Sequence, residues 1–289
     1  MSRFIDPKTD FGFKYIFGRE ESKPFLIDFL NNLLKDEPGF DTIVSLEYLD
    51  KEKSKGRKDE RGVIYDIHCH TSNGRQFTVE MQNNEQDYYI DRMIYYASKA
   101  IVDQGKSGAD WRYGYEPVYV ISFMNFVSDR FGGAFRTDAA LCNLSTHQPI
   151  SDKQRYIFIQ LPLFDKKTPE ECITDIDQWY YVLINMSTMD TMPFTQQKNL
   201  FDRLSSVASY ASLSREDRIA YDADLKAYRD MMGQLSFAEA RGLKQGLEQG
   251  EEKKTAEIVR RMALDGLSID TIAKYAGVAV DKIKHILGK

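Results

Sequence analysis

The stretch that decides the fold is Val63-Ile-Tyr-Asp66-Ile-His-Cys-His70-Thr-Ser-Asn-Gly74-Arg-Gln-Phe77-Thr-Val-Glu80-Met-Gln82. Two runs rich in β-branched and aromatic residues flank Asn73-Gly74, a strong hairpin signal, so residues 63–70 and 77–82 read as paired strands. Successive side chains on a strand face opposite ways, which puts Glu80 and Gln82 on one face and Phe77, Val79 and Met81 on the other. On the first strand Ile64, Asp66, His68 and His70 share a face, so a carboxylate sits within a mostly apolar run. Such a residue demands an explanation.

Register matters here. A two-residue Asn73-Gly74 loop would set Asp66 opposite Met81, on the wrong face to meet Glu80. A three-residue loop with glycine in the left-handed conformation, or a bulge, restores the pairing of Asp66 with Glu80, and one of these is expected.

Two carboxylates brought together repel, and one takes up a proton unless a cation lies between them. Mg²⁺, with Mn²⁺ as a substitute, prefers oxygen ligands and keeps several waters, so it suits one or two carboxylates plus a substrate phosphate. Asp66 and Glu80 are thus the candidate metal ligands for phosphodiester hydrolysis, with Gln82 orienting water or phosphate from the same face. The competing reading is a pair of polar edge-strand residues facing solvent, which short motifs often turn out to be. His68 and His70 form an H-x-H pair without a cysteine or third histidine nearby, a thin basis for zinc.

Outward from this hairpin, a helix is expected from about Glu85 to Val102. On it Tyr88, Arg92, Tyr96 and Lys99 form one stripe, opposite the apolar set Ile90, Ile94, Ala97 and Ile101. Arginine with interleaved aromatics suits a phosphate backbone, which makes this stripe the candidate DNA-binding surface; a solvated face with core-flanking tyrosines is the alternative. Val118–Phe123 reads as a buried strand reached across that helix, a β-α-β unit with parallel strands, and Tyr156–Leu161 as a further strand.

Residues 6–35 form an aromatic-rich helical lead-in broken near Gly18, and 43–49 a strand. Lys51–Arg61, with six basic and three acidic residues, reads as a solvated loop. Beyond Pro169 the pattern is helical, with Trp179, Tyr180, Leu183 and Ile184 on one helix and Leu200, Leu204 and Val207 on another. Gly242, Gly246 and Gly250 punctuate a polar linker or exposed helix. Residues 255–289 then repeat helix and turn in the manner of a helix-turn-helix, with Lys274, Lys282, Lys284 and His285 toward its exposed side. That unit would suit either DNA phosphates or packing and self-association, and the C-terminal helices are where a homo-oligomer would form.

The expected division is a strand-bearing core over 1–165, a helical extension packing on it over 166–237, the glycine-spaced segment 238–254, and the small unit 255–289. The fold class is α/β, a mixed central sheet flanked by helices followed by an all-helical extension.

The formal charge is -5, which argues against coating nucleic acid through bulk positive charge. Residues 241–289 hold ten Lys/Arg against seven Asp/Glu, so the mild positive excess lies at the C-terminal end. Three cysteines, Cys69, Cys142 and Cys172, show no CxxC spacing and read as reduced, mostly buried thiols. No apolar run approaches the roughly 18 residues of a membrane span, and a cytoplasmic location is expected.

Four segments recur together in order: Asp10-Phe-Gly-Phe-Lys-Tyr-Ile-Phe-Gly18, Tyr65-Asp-Ile67, Val79-Glu-Met-Gln82 and Arg92-Met-Ile-Tyr-Tyr96. With them the chain resembles the recombination-promoting nuclease/transposase family of the PD-(D/E)xK superfamily, over nearly its whole length. The resemblance implies a restriction-endonuclease-like core and a Mg²⁺-dependent DNA endonuclease linked to recombination or mobile elements. By it Asp66 matches the metal-binding aspartate, Glu80 the second carboxylate, Gln82 the position held by lysine in many other members, and Asp10 an N-terminal acidic residue near the site. Glutamine there removes a cation that would stabilise developing negative charge, so slow or conditional cleavage is expected. The alternative is a catalytically weak or inactive DNA-binding or protein-interaction member of the same fold.

Overall fold

The structure is a computed structural model that describes residues 3–37, 39–49, 66–108 and 111–288. The expected loop Lys51–Arg61 and the first residues of the strand expected over 63–70 lie outside these. The chain divides into two compact units, Met1–Leu225 and Lys226–Lys289.

In the first unit the lead-in forms two helices, α1 (Asp10–Phe17) and α2 (Lys23–Leu34), on either side of Gly18. Thr9 caps α1 by accepting the Gly12 amide at 3.0 Å, which satisfies one of the helix's unpaired donors. Gly12 is required by close approach: a Cβ there would lie 2.0 Å from the Asp6 carbonyl oxygen.

Six strands follow: β1 (Leu46–Tyr48), β2 (Ile67–Thr71), β3 (Gln76–Gln82), β4 (Val118–Met124), β5 (Arg136–Ala140) and β6 (Gln154–Gln160). They form one mixed sheet in the order β1-β2-β3-β4-β6-β5. The β3–β4 and β4–β6 pairs are parallel and the rest antiparallel. Helix α3 (Tyr89–Asp103) makes the crossover from β3 to β4, as the β-α-β pattern requires. Strand β5 has no counterpart in the sequence reading. It is a polar edge strand, Arg-Thr-Asp-Ala-Ala, whose inward and outward positions barely differ in hydropathy.

The β2–β3 loop takes the three-residue form. Thr71 and Arg75 close it through a 2.9 Å hydrogen bond, Ser72, Asn73 and Gly74 span it, and Gly74 adopts φ +85°. Register then runs Ile67 opposite Val79 and His68 opposite Thr78. One step further along, Asp66 falls opposite Glu80.

The sheet has an unequal pair of faces. Phe77, Val79, Tyr119, Ile121, Phe123, Ile157 and Ile159 point into the larger core, shared with α1, α2, α4 (Asp175–Asn185) and α5 (Asn199–Val207). Phe13 and Phe29 meet Phe123 with ring centroids at 5.8 and 5.3 Å, and Trp179 meets Phe17 at 5.6 Å. Each such ring contributes roughly 1.5–3 kcal/mol through burial. The other face carries Thr78, Glu80, Gln82 and Ser122; there Met93, Ala97 and Ala100 of α3, with Phe126 and Phe131, pack on Val118, Val120 and Phe158.

Helix α3 therefore does not bury the face expected of it. Tyr89, Met93, Tyr96, Ala97 and Ala100 are buried, whereas Ile94 is 46% exposed. A partly polar sheet face accepts Tyr89, whose hydroxyl hydrogen-bonds Ser122 Oγ, and this rotates the buried arc toward the tyrosines.

Helix α6 (Arg215–Leu264) begins in the first unit, where Tyr221 and Asp224 bond the Asp6 and Phe11 amides at 2.8 and 2.7 Å. It ends in the second unit, where the glycine-spaced segment is exposed helix. There it packs with α7 (Ile269–Ala276) and α8 (Val280–Leu287) around Val259, Ile272 and Ile283. Ser268 caps α7, and Gly277 ends it at φ +64°. No described helix is long and apolar enough to cross a membrane.

Candidate active site

Asp66 and Glu80 meet where β2 begins and β3 nears its end. The Asp66 amide donates to Glu80 Oε1 at 3.0 Å, and the Met81 amide donates to Asp66 Oδ2 at 3.0 Å. Each carboxylate is thus fixed by backbone from the opposite strand. Both are held above the usual carboxylate range, Asp66 by burial and Glu80 by burial and then by the Asp66 charge, Glu80 reaching about 8.

Gln82 lies on the same face, two residues on. Its Oε1 accepts from Arg92 Nη2, and its Nε2 donates to the Asn84 carbonyl at 3.0 Å. Arg92 also donates to Gln86 Oε1 at 3.2 Å. The guanidinium thus reaches the site from α3.

Asp10 arrives from the opposite side, on the first turn of α1, and is more than half exposed. It does not touch the carboxylate pair directly. Lys14, one turn further along, bridges them: its Nζ is 2.5 Å from Asp10 Oδ1 and 3.5 Å from Asp66 Oδ1. Sequence reading did not single out Lys14. The available signal was its i,i+4 spacing from Asp10, which places both on one helix face.

The four residues of the expected α3 stripe are not presented together. Tyr88 is exposed and precedes the helix, Arg92 turns to Gln82, Tyr96 is buried, and Lys99 pairs with Asp103 at 2.9 Å. The Tyr96 hydroxyl is pushed up to about 12, chiefly by burial.

His68 bonds Thr78 Oγ1 at 3.0 Å, and burial holds its ring down at about 4. His70 lies 3.6 Å from Glu47. Cys69 and Cys172 are buried and Cys142 is half-buried.

Among the described residues no group of three or more histidine, cysteine or acidic side chains is assembled as a metal cage. One buried and one half-buried carboxylate, both with proton affinity raised, are a different donor set. They match an oxygen-preferring divalent ion that keeps waters and takes further ligands from substrate.

A mixed six-stranded sheet flanked by helices, with paired carboxylates on adjacent strands, defines the PD-(D/E)xK nuclease-like class. Residues 7–238 match the model of the PD-(D/E)XK nuclease family transposases, and the chain belongs to that family. The matched residues end before Gly242, Gly246, Gly250 and the C-terminal unit. No curated protein and no solved structure matches the chain.

Proposed function

We propose that the protein is a Mg²⁺-dependent endonuclease that hydrolyses phosphodiesters in DNA, in a recombination or mobile-element setting. The observation that carries this is the Asp66–Glu80 pair. Two carboxylates sharing a largely desolvated site, each tied to the other strand's backbone, favour a proton or a cation between them.

Asp66 and Glu80 would hold the ion. When bound, a divalent ion supplies the Lewis acidity that polarises a phosphodiester and lowers the pKa of a water. The backbone bonds from Asp66 and Met81 keep the two carboxylates from rotating away, and α3 lies over the sheet face that bears Glu80. Gln82, held by Arg92 and Asn84, would have to exchange one of these bonds to orient water or phosphate. Arg92 and the exposed Tyr88 are the α3 groups suited to meet a nucleic-acid backbone, and Lys99 adds charge further along.

Cleavage of supercoiled plasmid with Mg²⁺, Mn²⁺ or EDTA, beside Asp66→Ala and Glu80→Ala variants that still fold, tests this. Metal-dependent nicking lost in both variants is the expected result; equal activity in variants and parent sinks it.

A second reading has one observation in its favour. Both ends of the Gln82 amide are already engaged, so the usual lysine position contributes neither a cation nor an unengaged amide. On that reading the chain binds DNA and cuts it weakly. Duplex binding without nicking under any metal would select it.

A further inference from the structure

The nuclease reading leaves the site short of a cation at Gln82, yet the structure brings one in from elsewhere. We propose that Lys14, carried on α1, is the catalytic cation of this site and contacts a non-bridging oxygen of the scissile phosphate. This rests on the nuclease reading and adds a residue to it.

Three observations converge on Lys14. Its Nζ lies 3.5 Å from Asp66 Oδ1, while Asp66 Oδ2 is occupied by the Met81 amide, so the ammonium addresses the side of the carboxylate turned away from the strand. Asp10 holds it there at 2.5 Å from one helical turn away. A cleft of about 360 Å³ lies between α1 and α6, bordered by Asp10, Phe11, Lys14, Arg19, Ala220 and Asp224, and leaves one side of the ammonium open to solvent.

The placement of α1 is not adjustable. Phe13 and Phe17 anchor it in the core, and Gly12 lets its first turn pass against the Asp6 carbonyl. An i,i+4 ion pair with a mostly exposed aspartate is too weak to account for half-burying a lysine. Electrostatic service to the site accounts for it. On the other flank Arg92 engages Gln82, so two cations from two helices border one pair of carboxylates.

In the reaction, a water oxygen bonds to phosphorus and the P–O bond to the leaving sugar oxygen breaks. One water proton ends on that oxygen and the other passes to solvent, giving an alcohol and a phosphomonoester. Lys14 keeps its proton throughout and donates a hydrogen bond to the phosphoryl oxygen on which charge builds. Asp10 is a positioning residue that aims the ammonium.

The test compares the full chain with Lys14→Met, Lys14→Arg and Lys14→Met/Gln82→Lys. Nicking rate at saturating Mg²⁺, Mn²⁺ affinity by calorimetry, thermal midpoint, and salt dependence of binding to a short fluorescent duplex in EDTA are measured. Lys14→Met is expected to slow nicking about 10²–10³-fold with Mn²⁺ affinity and midpoint no lower. Its duplex-binding salt slope should fall by about 1, the loss of one phosphate contact. Lys14→Arg should retain more activity, and Gln82→Lys should return part of what Lys14→Met loses. Unimpaired nicking by Lys14→Met, or a loss that tracks a fall in midpoint and Mn²⁺ affinity, overturns the proposal. A parent that cuts nothing removes the nuclease reading instead; an unchanged salt slope in Lys14→Met would then dispose of the phosphate contact as well.

Discussion

Asp66 and Glu80 hold one another through backbone: the Asp66 amide donates to Glu80 Oε1 at 3.0 Å while Asp66 Oδ2 accepts the next residue's amide, that of Met81. The arrangement fixes two like charges side by side without a direct carboxyl–carboxyl bond, and the expected behaviour of the site follows from that tension.

Removing one charge should relieve it. Glu80→Gln is expected to abolish metal-dependent nicking, and to weaken Mn²⁺ binding by more than the 10–100-fold that loss of a ligand's supporting partner costs. Its thermal midpoint without metal should be equal to or above the parent's near pH 8. A midpoint below the parent's at that pH would show that the pair is not under strain.

The pH dependence has a definite sign. Glu80 is raised to about 8 in the folded chain, above its unfolded value, so between these limits the native state binds more protons. Metal-free stability therefore falls as pH rises from about 5 to about 8, lowering the thermal midpoint by at least a few °C. Differential scanning calorimetry in EDTA would read this, and Glu80→Gln should flatten the slope.

Metal binding should run the other way. Because the ligands must lose their protons, Mn²⁺ affinity is expected to rise with pH over the same window and to release up to about one proton per ion. Calorimetry in two buffers of different ionisation enthalpy measures the proton count. A count of zero would remove the protonated pair.

Gly12→Ala adds a Cβ 2.0 Å from the Asp6 carbonyl oxygen, so α1 or the residues before it must shift. Overpacking of this kind costs about 1–3 kcal/mol. The shift moves Lys14 off Asp66, so nicking should fall further than the stability loss alone explains, in conditions where the variant remains folded.

Arg92→Met frees Gln82 Oε1 and removes the α3 guanidinium. Duplex affinity in EDTA is expected to drop and its salt slope to flatten by about 1. Binding identical to the parent's would leave Arg92 with only its internal bonds to Gln82 and Gln86.

Much of this protein is determined by short-range pattern. The 67–82 hairpin and the meeting of Asp66 with Glu80 follow from a period of two and one turn rule, which left a three-residue loop or a bulge; the loop with Gly74 at positive φ is the one formed. Helices α1, α2, α4 and α5 follow from apolar spacing, and the parallel β3–β4 pair from the intervening helix. All of these are local, because a strand's faces and a turn's geometry are set by neighbouring residues.

Tertiary structure decided the rest. Strand β5 exists because β6 offers it an edge, since its own residues carry little alternation. Helix α3 turns Tyr89 and Tyr96 inward and Ile94 outward because the sheet beneath it carries Ser122 and Glu80, which a helix periodicity cannot know. Lys14 joins the site across 52 residues of sequence only because Phe13 and Phe17 fix α1 on the core. A charge's partners are set by which surfaces pack together, and that information lies in no single stretch of the chain.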